Sequence, residues 1–108
     1  MEDAWDFTQG SSDVTIQIID GGVHIGHQDY GSAWSNSGED CDNGIDDDNN
    51  GYVDDCNGYN FWLDNNDVKG YSYLANNYHG QWAASTAAAG LNNGKYIAGI
   101  AGQGTKIM

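Results

Sequence analysis

Apolar positions fall into a few short clusters separated by long polar stretches. Val14, Ile16, Ile18 and Ile19 form a β-branched run that stops at Asp20-Gly21-Gly22. That pattern predicts a buried strand followed by a glycine turn. Gly58–Leu63 (GYNFWL) and Tyr96–Ala101 read as two further strands, and Lys106-Ile107-Met108 as the opening of a fourth. His79–Leu91 is alanine-rich and lacks β-branching apart from Thr86, which predicts a helix stopped by Asn92-Asn93-Gly94. Ala83, Ala84, Ala87, Ala88 and Gly90 are small enough for that helix to lie close against a sheet. Residues 1–12 read as an extended polar lead-in anchored by Trp5 and Phe7. Residues 31–56 read as loop throughout, with Trp34 as a packing anchor, and 64–78 as polar and irregular. Strands alternating with a crossover helix predict an α/β fold with a parallel sheet and a buried helix. The sheet is expected to be partial, with an open edge that invites dimerisation or domain swapping.

Composition narrows the partners. The chain has 108 residues, 39% hydrophobic, so it is one domain or part of one. Its formal net charge is −13, with three lysines (Lys69, Lys95, Lys106) and no arginine. Nucleic acid and anionic membrane surfaces, which need basic patches, are excluded as partners. No run of eighteen apolar residues is present for a transmembrane helix. MEDAWDF is not a signal peptide, so an exported protein is expected to have its signal and pro-segment outside this chain. With no proline, loops must turn on Gly, Asn and Asp.

Half of the acidic residues lie between Glu39 and Asp55. In Asp40–Cys56 (DCDNGIDDDNNGYVDDC), Asp46-x-Asp48-x-Asn50-Gly51 places oxygen donors at alternate positions and then a glycine for a sharp turn. Hard cations such as calcium are bound by this kind of pattern, with the Tyr52 carbonyl as a further ligand. Asn57 stands where an EF-hand has its closing glutamate, so Asp54 or Asp55 must close the cage instead. A solvated acidic loop is the alternative. Cys41 and Cys56 bracket the segment as a disulfide or as two free thiols. The disulfide would stabilise by roughly 3 kcal/mol in the chain-entropy model and implies an oxidising compartment.

Several stretches, in order, resemble the subtilisin-like serine proteases. Ile18-Ile19-Asp20-Gly21-Gly22-Val23 followed by His27-Gln28-Asp29-Tyr30 is similar to the strand and turn around that family's catalytic aspartate. Asn43–Asp55 resembles an insert common in secreted bacterial members. Tyr59-Asn60-Phe61 with Asp64, Asn65 and Asp67 is similar to the segment leading to the catalytic histidine, and His79-Gly80 to the start of its helix. Asn93-Gly94, Gly99-Ile100-Ala101-Gly102 and Lys106-Ile107-Met108 resemble the turn and strands that follow. Gly21, Gln28 and Gln81-Trp82 depart from the usual Thr, Pro and Thr-His.

The resemblance implies that residues 1–108 are the N-terminal part of a secreted peptidase domain, with a calcium-loop insert at about 40–56. Asp20 would be the orienting carboxylate and His79 the general base. No serine of the chain (11, 12, 32, 35, 37, 72, 85) lies in the family's nucleophile pattern. The serine and the oxyanion asparagine are expected beyond Met108, leaving this chain inactive alone. The substrate of the complete domain would be a protein or peptide. Asn60, Asp64, Asn66 and Asp67 resemble a second, weaker calcium cluster, while His24 and His27 read as loop residues. The competing expectation is a stand-alone calcium-binding, self-associating module derived from the same scaffold.

Overall fold

The computed structural model describes residues 2–69, 78–102 and 104–108. In chain order its elements are α1 (Glu2–Trp5), β1 (Thr15–Ile16), β2 (Ser32–Ala33), α2 (His79–Ala88) and β3 (Lys106–Ile107). The strands form one parallel sheet in the order β1-β3-β2. Thr15 and Ser32 both pair with Lys106, and Ile16 and Ala33 with Ile107. The β1–β3 pairing runs on past the strand ends: Ile18 N–H donates to the Met108 carbonyl and Met108 N–H to the Ile16 carbonyl. The expected partial α/β arrangement, a parallel sheet with a packed helix, is therefore present.

Gly80, Gln81, Ala84 and Ala88 are buried on one face of α2, at the three-to-four-residue spacing of a helical stripe. Ala84 and Ala88 meet Val23 and Ile107, and Ile16, Ile18, Tyr30 and Ala87 pack around them. Among the described residues Ile107 is the largest fully buried side chain, and its burial contributes on the order of 2 kcal/mol. Burial also pushes the Tyr30 hydroxyl up to about 12.

α2 approaches the chain packed against it so closely that glycine is required where they meet. A β-carbon on Gly31 would lie 2.1 Å from the Ala88 carbonyl oxygen, and one on Gly99 would lie 2.2 Å from the Ala89 nitrogen. The buried Asp29 carboxylate ties down the excursion after α2, accepting from Asn93 Nδ2 at 2.9 Å and from the Ile97 amide at 3.0 Å.

Several sequence expectations need correction. Tyr96–Ala101 is not a strand: its last part caps α2, with Gly99, Ile100 and Ala101 N–H groups donating to the carbonyls of Ala89, Thr86 and Ala87. A helix end leaves such carbonyls without intrahelical partners, and this segment supplies them. Gly58–Leu63 is not a continuous strand: Gly58 and Asn60 make only isolated bridges, to Cys56 and Asn65, and Phe61–Leu63 turn, with the Asn60 side-chain oxygen accepting from the amides of Trp62 and Leu63. Ser32–Ala33, within the stretch read as loop, is a strand that fills the second edge of β3. The N-terminal lead-in contains α1; Trp5 is an anchor through its indole bond to the Ile100 carbonyl, but Phe7 is 90% exposed. The helix itself closes at Ala88 instead of Leu91. The first strand is not a buried run: it is confined to Thr15–Ile16, with Val14 and Ile19 exposed. Most of the stretch read as irregular, residues 70–77, lies outside the described residues.

Gly99→Ala is expected to lower stability by about 1–3 kcal/mol through overpacking against α2. Gly26→Ala, whose new carbon would come no nearer than 3.4 Å to the His24 ring, is expected to stay within about 0.5 kcal/mol of the parent. Urea unfolding of both variants checks this.

Candidate functional site

Asp20 follows the β1 run and His79 opens α2, 59 residues later. The His79 Nδ1–H donates to Asp20 Oδ2 over 2.6 Å. Asp20 Oδ1 accepts from the Gly21 amide over 2.7 Å. An ionised carboxylate only accepts, so this contact selects the imidazole tautomer with its proton on Nδ1. The Asp20 side chain is 19% exposed and the His79 side chain 72%. The Gly21 amide holds the Asp20 carboxyl below the ordinary aspartate value. Partial desolvation opposes this, and the bond and charge of His79 add to it.

Backbone contact brings the two residues together. Gly80 sits where a β-carbon would be 2.5 Å from the Gly22 carbonyl oxygen and 3.1 Å from Asp20 Cβ. The first turn of α2 therefore rests directly on the turn that carries Asp20. Asp20 also borders an open cleft of about 990 Å³ lined by Ile18, Ile19, Phe61, Trp62 and Met108 among others.

The acidic loop is joined at its base by a Cys41–Cys56 disulfide. Asp46 and Asp48 come together as the alternation suggests, and Glu39, which the sequence reading passed over, joins them. One carboxylate oxygen from each lies within 4.8 Å of the others, a group that could hold a metal ion. Gly51 takes a positive φ of 97°, and its amide donates to Asp46 Oδ2. The other proposed ligands hydrogen-bond within and around the loop. Asn50 Oδ1 accepts from the Tyr52 amide, and Asn50 Nδ2 donates to Asp48 and Asp55. Asp54 accepts from the amides of Asn43 and Gly44, while Asp55 accepts from Asn36 Nδ2. The Tyr52 ring packs on Tyr59 and Phe61.

In the second suggested cluster, Asp64 accepts from the Tyr59 hydroxyl and Asp67 from the Lys69 amide, while Asn60 Nδ2 donates to the Asp67 carbonyl. Hydrogen bonding to Asp64 and burial raise the Tyr59 hydroxyl above its ordinary value, with burial the larger cause. Among the described residues, Glu39, Asp46 and Asp48 are the acidic group close enough to share an ion. His27 is a loop residue whose Nδ1 accepts from the Asp29 amide and whose ring faces Tyr96.

A carboxylate that fixes the tautomer of an imidazole leaves the other ring nitrogen suited to take a proton from a nucleophile, the chemistry of serine and cysteine hydrolases. Sequence comparison reaches the same class: the chain is related to subtilisin-like serine proteases along about nine-tenths of its length. It is 34% identical over 100 residues to halolysin from Haloferax mediterranei, a match covering 92% of this chain and 15% of halolysin. It is 31% identical over 105 residues to the thermophilic serine proteinase of Bacillus sp. strain AK1, covering 91% of this chain and 18% of that protein. The chain thus spans less than a fifth of the length of either relative. No family model matches it. Among the described residues, no helix is long and apolar enough to cross a membrane.

The depressed Asp20 value has a defined consequence for acid stability. A lowered folded-state value contributes stability above the ordinary aspartate range, and that contribution is lost as pH falls through the folded value. Asp20→Asn is expected to melt below the parent at neutral pH, with the gap closing below about pH 4. Calorimetric melting of the two proteins from pH 2 to 7 measures it.

Proposed function

We propose that this chain is the N-terminal portion of the catalytic domain of a secreted subtilisin-like serine endopeptidase, contributing its carboxylate–imidazole pair. The observation that carries this is the 2.6 Å contact between Asp20 and His79, in a chain related to serine proteinases. Asp20 accepts the Nδ1 proton, orients the ring and stabilises the imidazolium formed during turnover. His79 takes the hydroxyl proton of a serine supplied by the rest of the full-length protein, then delivers it to the departing amine of a peptide substrate. The disulfide supports export to an oxidising compartment.

In the full-length protein, His79→Ala is expected to lower kcat on a fluorogenic peptide by about 10⁴-fold or more. The parent activity is expected to be abolished by a serine-directed covalent inhibitor. Full activity in His79→Ala would overturn the proposal.

The same reading assigns calcium to the acidic loop. Glu39, Asp46 and Asp48 supply the hard anionic oxygens that calcium prefers, and neutralising them would relieve their mutual repulsion. Calcium at a hundred times its Kd is expected to stabilise the protein by about 2.7 kcal/mol. The double variant Asp46→Ala/Asp48→Ala should lose this response, and melting with and without calcium tests it.

A further inference from the structure

Gln81 occupies the third position of α2, where a glutamine commonly reaches back to the helix's own N-cap. Here it reaches across the fold instead. Its Oε1 accepts from the backbone amide of His24 over 2.9 Å, although the two residues are 57 apart in sequence. The side chain is buried, and its Nε2 lies 3.4 Å from the Ser85 hydroxyl one helical turn further on, which keeps the amide group from rotating.

The location of this bond gives it a role. His24 ends the turn that begins at Asp20. The same turn is held on its other side by the Val23 amide, which donates to the Val68 carbonyl over 2.9 Å. Its middle lies against α2, where Gly80 leaves no room for a β-carbon beside the Gly22 carbonyl. That close contact limits how near the turn can come to the helix but does not stop it sliding along the helix surface. The Gln81 bond is directional and opposes that sliding. Asp20, at one end of the turn, and His79, two residues before Gln81, are thereby held in register.

We infer that Gln81 is a positioning residue for the Asp20–His79 pair, acting through its hydrogen bond to the His24 amide. This inference rests on the reading of that pair as the proton-relay half of a serine peptidase.

The test uses the full-length protein with three substitutions. Gln81→Met keeps the length and apolar bulk of the side chain but removes the accepting oxygen. Gln81→Glu keeps an accepting oxygen, and its charge is favourable in the first turn of a helix. Gln81→Met is expected to lower kcat on a peptide ester about 10- to 100-fold with KM unchanged, as a shift approaching 1 Å would. Gln81→Glu is expected to restore most of the loss. The downfield proton resonance of the His79 Nδ1–H is expected to weaken in Gln81→Met and return in Gln81→Glu. All rates are read well below each variant's melting temperature, so a general loss of stability does not imitate the effect. Equal kcat in the parent, Gln81→Met and Gln81→Glu, or an equal loss in the Met and Glu variants, overturns the inference. His79→Ala, assayed alongside, separates the two levels: if it keeps activity, the catalytic reading fails, whatever Gln81 does. If it abolishes activity while Gln81→Met behaves as the parent, only the positioning role fails.

Discussion

Direct backbone contact along α2 is the constraint on which the rest of this structure depends. At the C-terminal end of the helix, Gly31 and Gly99 lie against Ala88 and Ala89 with no space for a side chain. At its N-terminal end, Gly80 lies against Gly22 and Asp20. Packing this tight fixes helix and sheet relative to each other to within a fraction of a side chain, because close-packed interiors yield little. It also leaves few large apolar side chains to bury. The core is built from Ala84, Ala88, Val23 and Ile107, so geometry is specified more by contact than by buried bulk.

The site follows from that arrangement. Asp20 ends the run that includes β1, and His79 begins the helix pressed onto the same turn. Their 2.6 Å contact thus joins two elements already held in place by the sheet and the helix packing. The acidic loop is organised by a different means. The Cys41–Cys56 disulfide closes it, and inside it side-chain oxygens accept backbone amides in place of a ladder or helix: Asp54 takes two, and Glu39 takes those of Asp48 and Asp54. One half of the chain is ordered by close packing and the other by carboxylates bonded to a turning backbone.

The parts readable from sequence were those with a local physical signature. The alanines of α2 and the closing Lys106–Ile107 became what their composition suggested, and the β-branched run through Ile16 and Ile18 gave a strand, but a short one whose ends, Val14 and Ile19, are exposed. The errors came where distant partners or a single polar side chain decided. Tyr96–Ala101 is apolar enough for a strand, but the unpaired carbonyls at the end of α2 took its amides. Gly58–Leu63 has aromatic strand formers, but Asn60 bends it locally. Ser32–Ala33 carries no strand signal at all and pairs because β3 presents a second edge. In the site, Asp20 and His79 were legible as a pair, as were Asp46 and Asp48. Glu39 precedes the alternating pattern and gave no sign of joining them. Gln81 was visible as a departure from Thr, but its bond to His24 depends on a contact across the whole fold.

Two indole rings are largely exposed to water. Trp62, 88% exposed, lies on the cleft that Asp20 borders, and Trp82, 68% exposed, stands three residues after His79. An indole in water emits at longer wavelength than one that has been covered. The protein therefore carries its own optical gauge: whatever comes to rest on that cleft, or over the mouth of the helix, changes the colour of its emission without any label being attached.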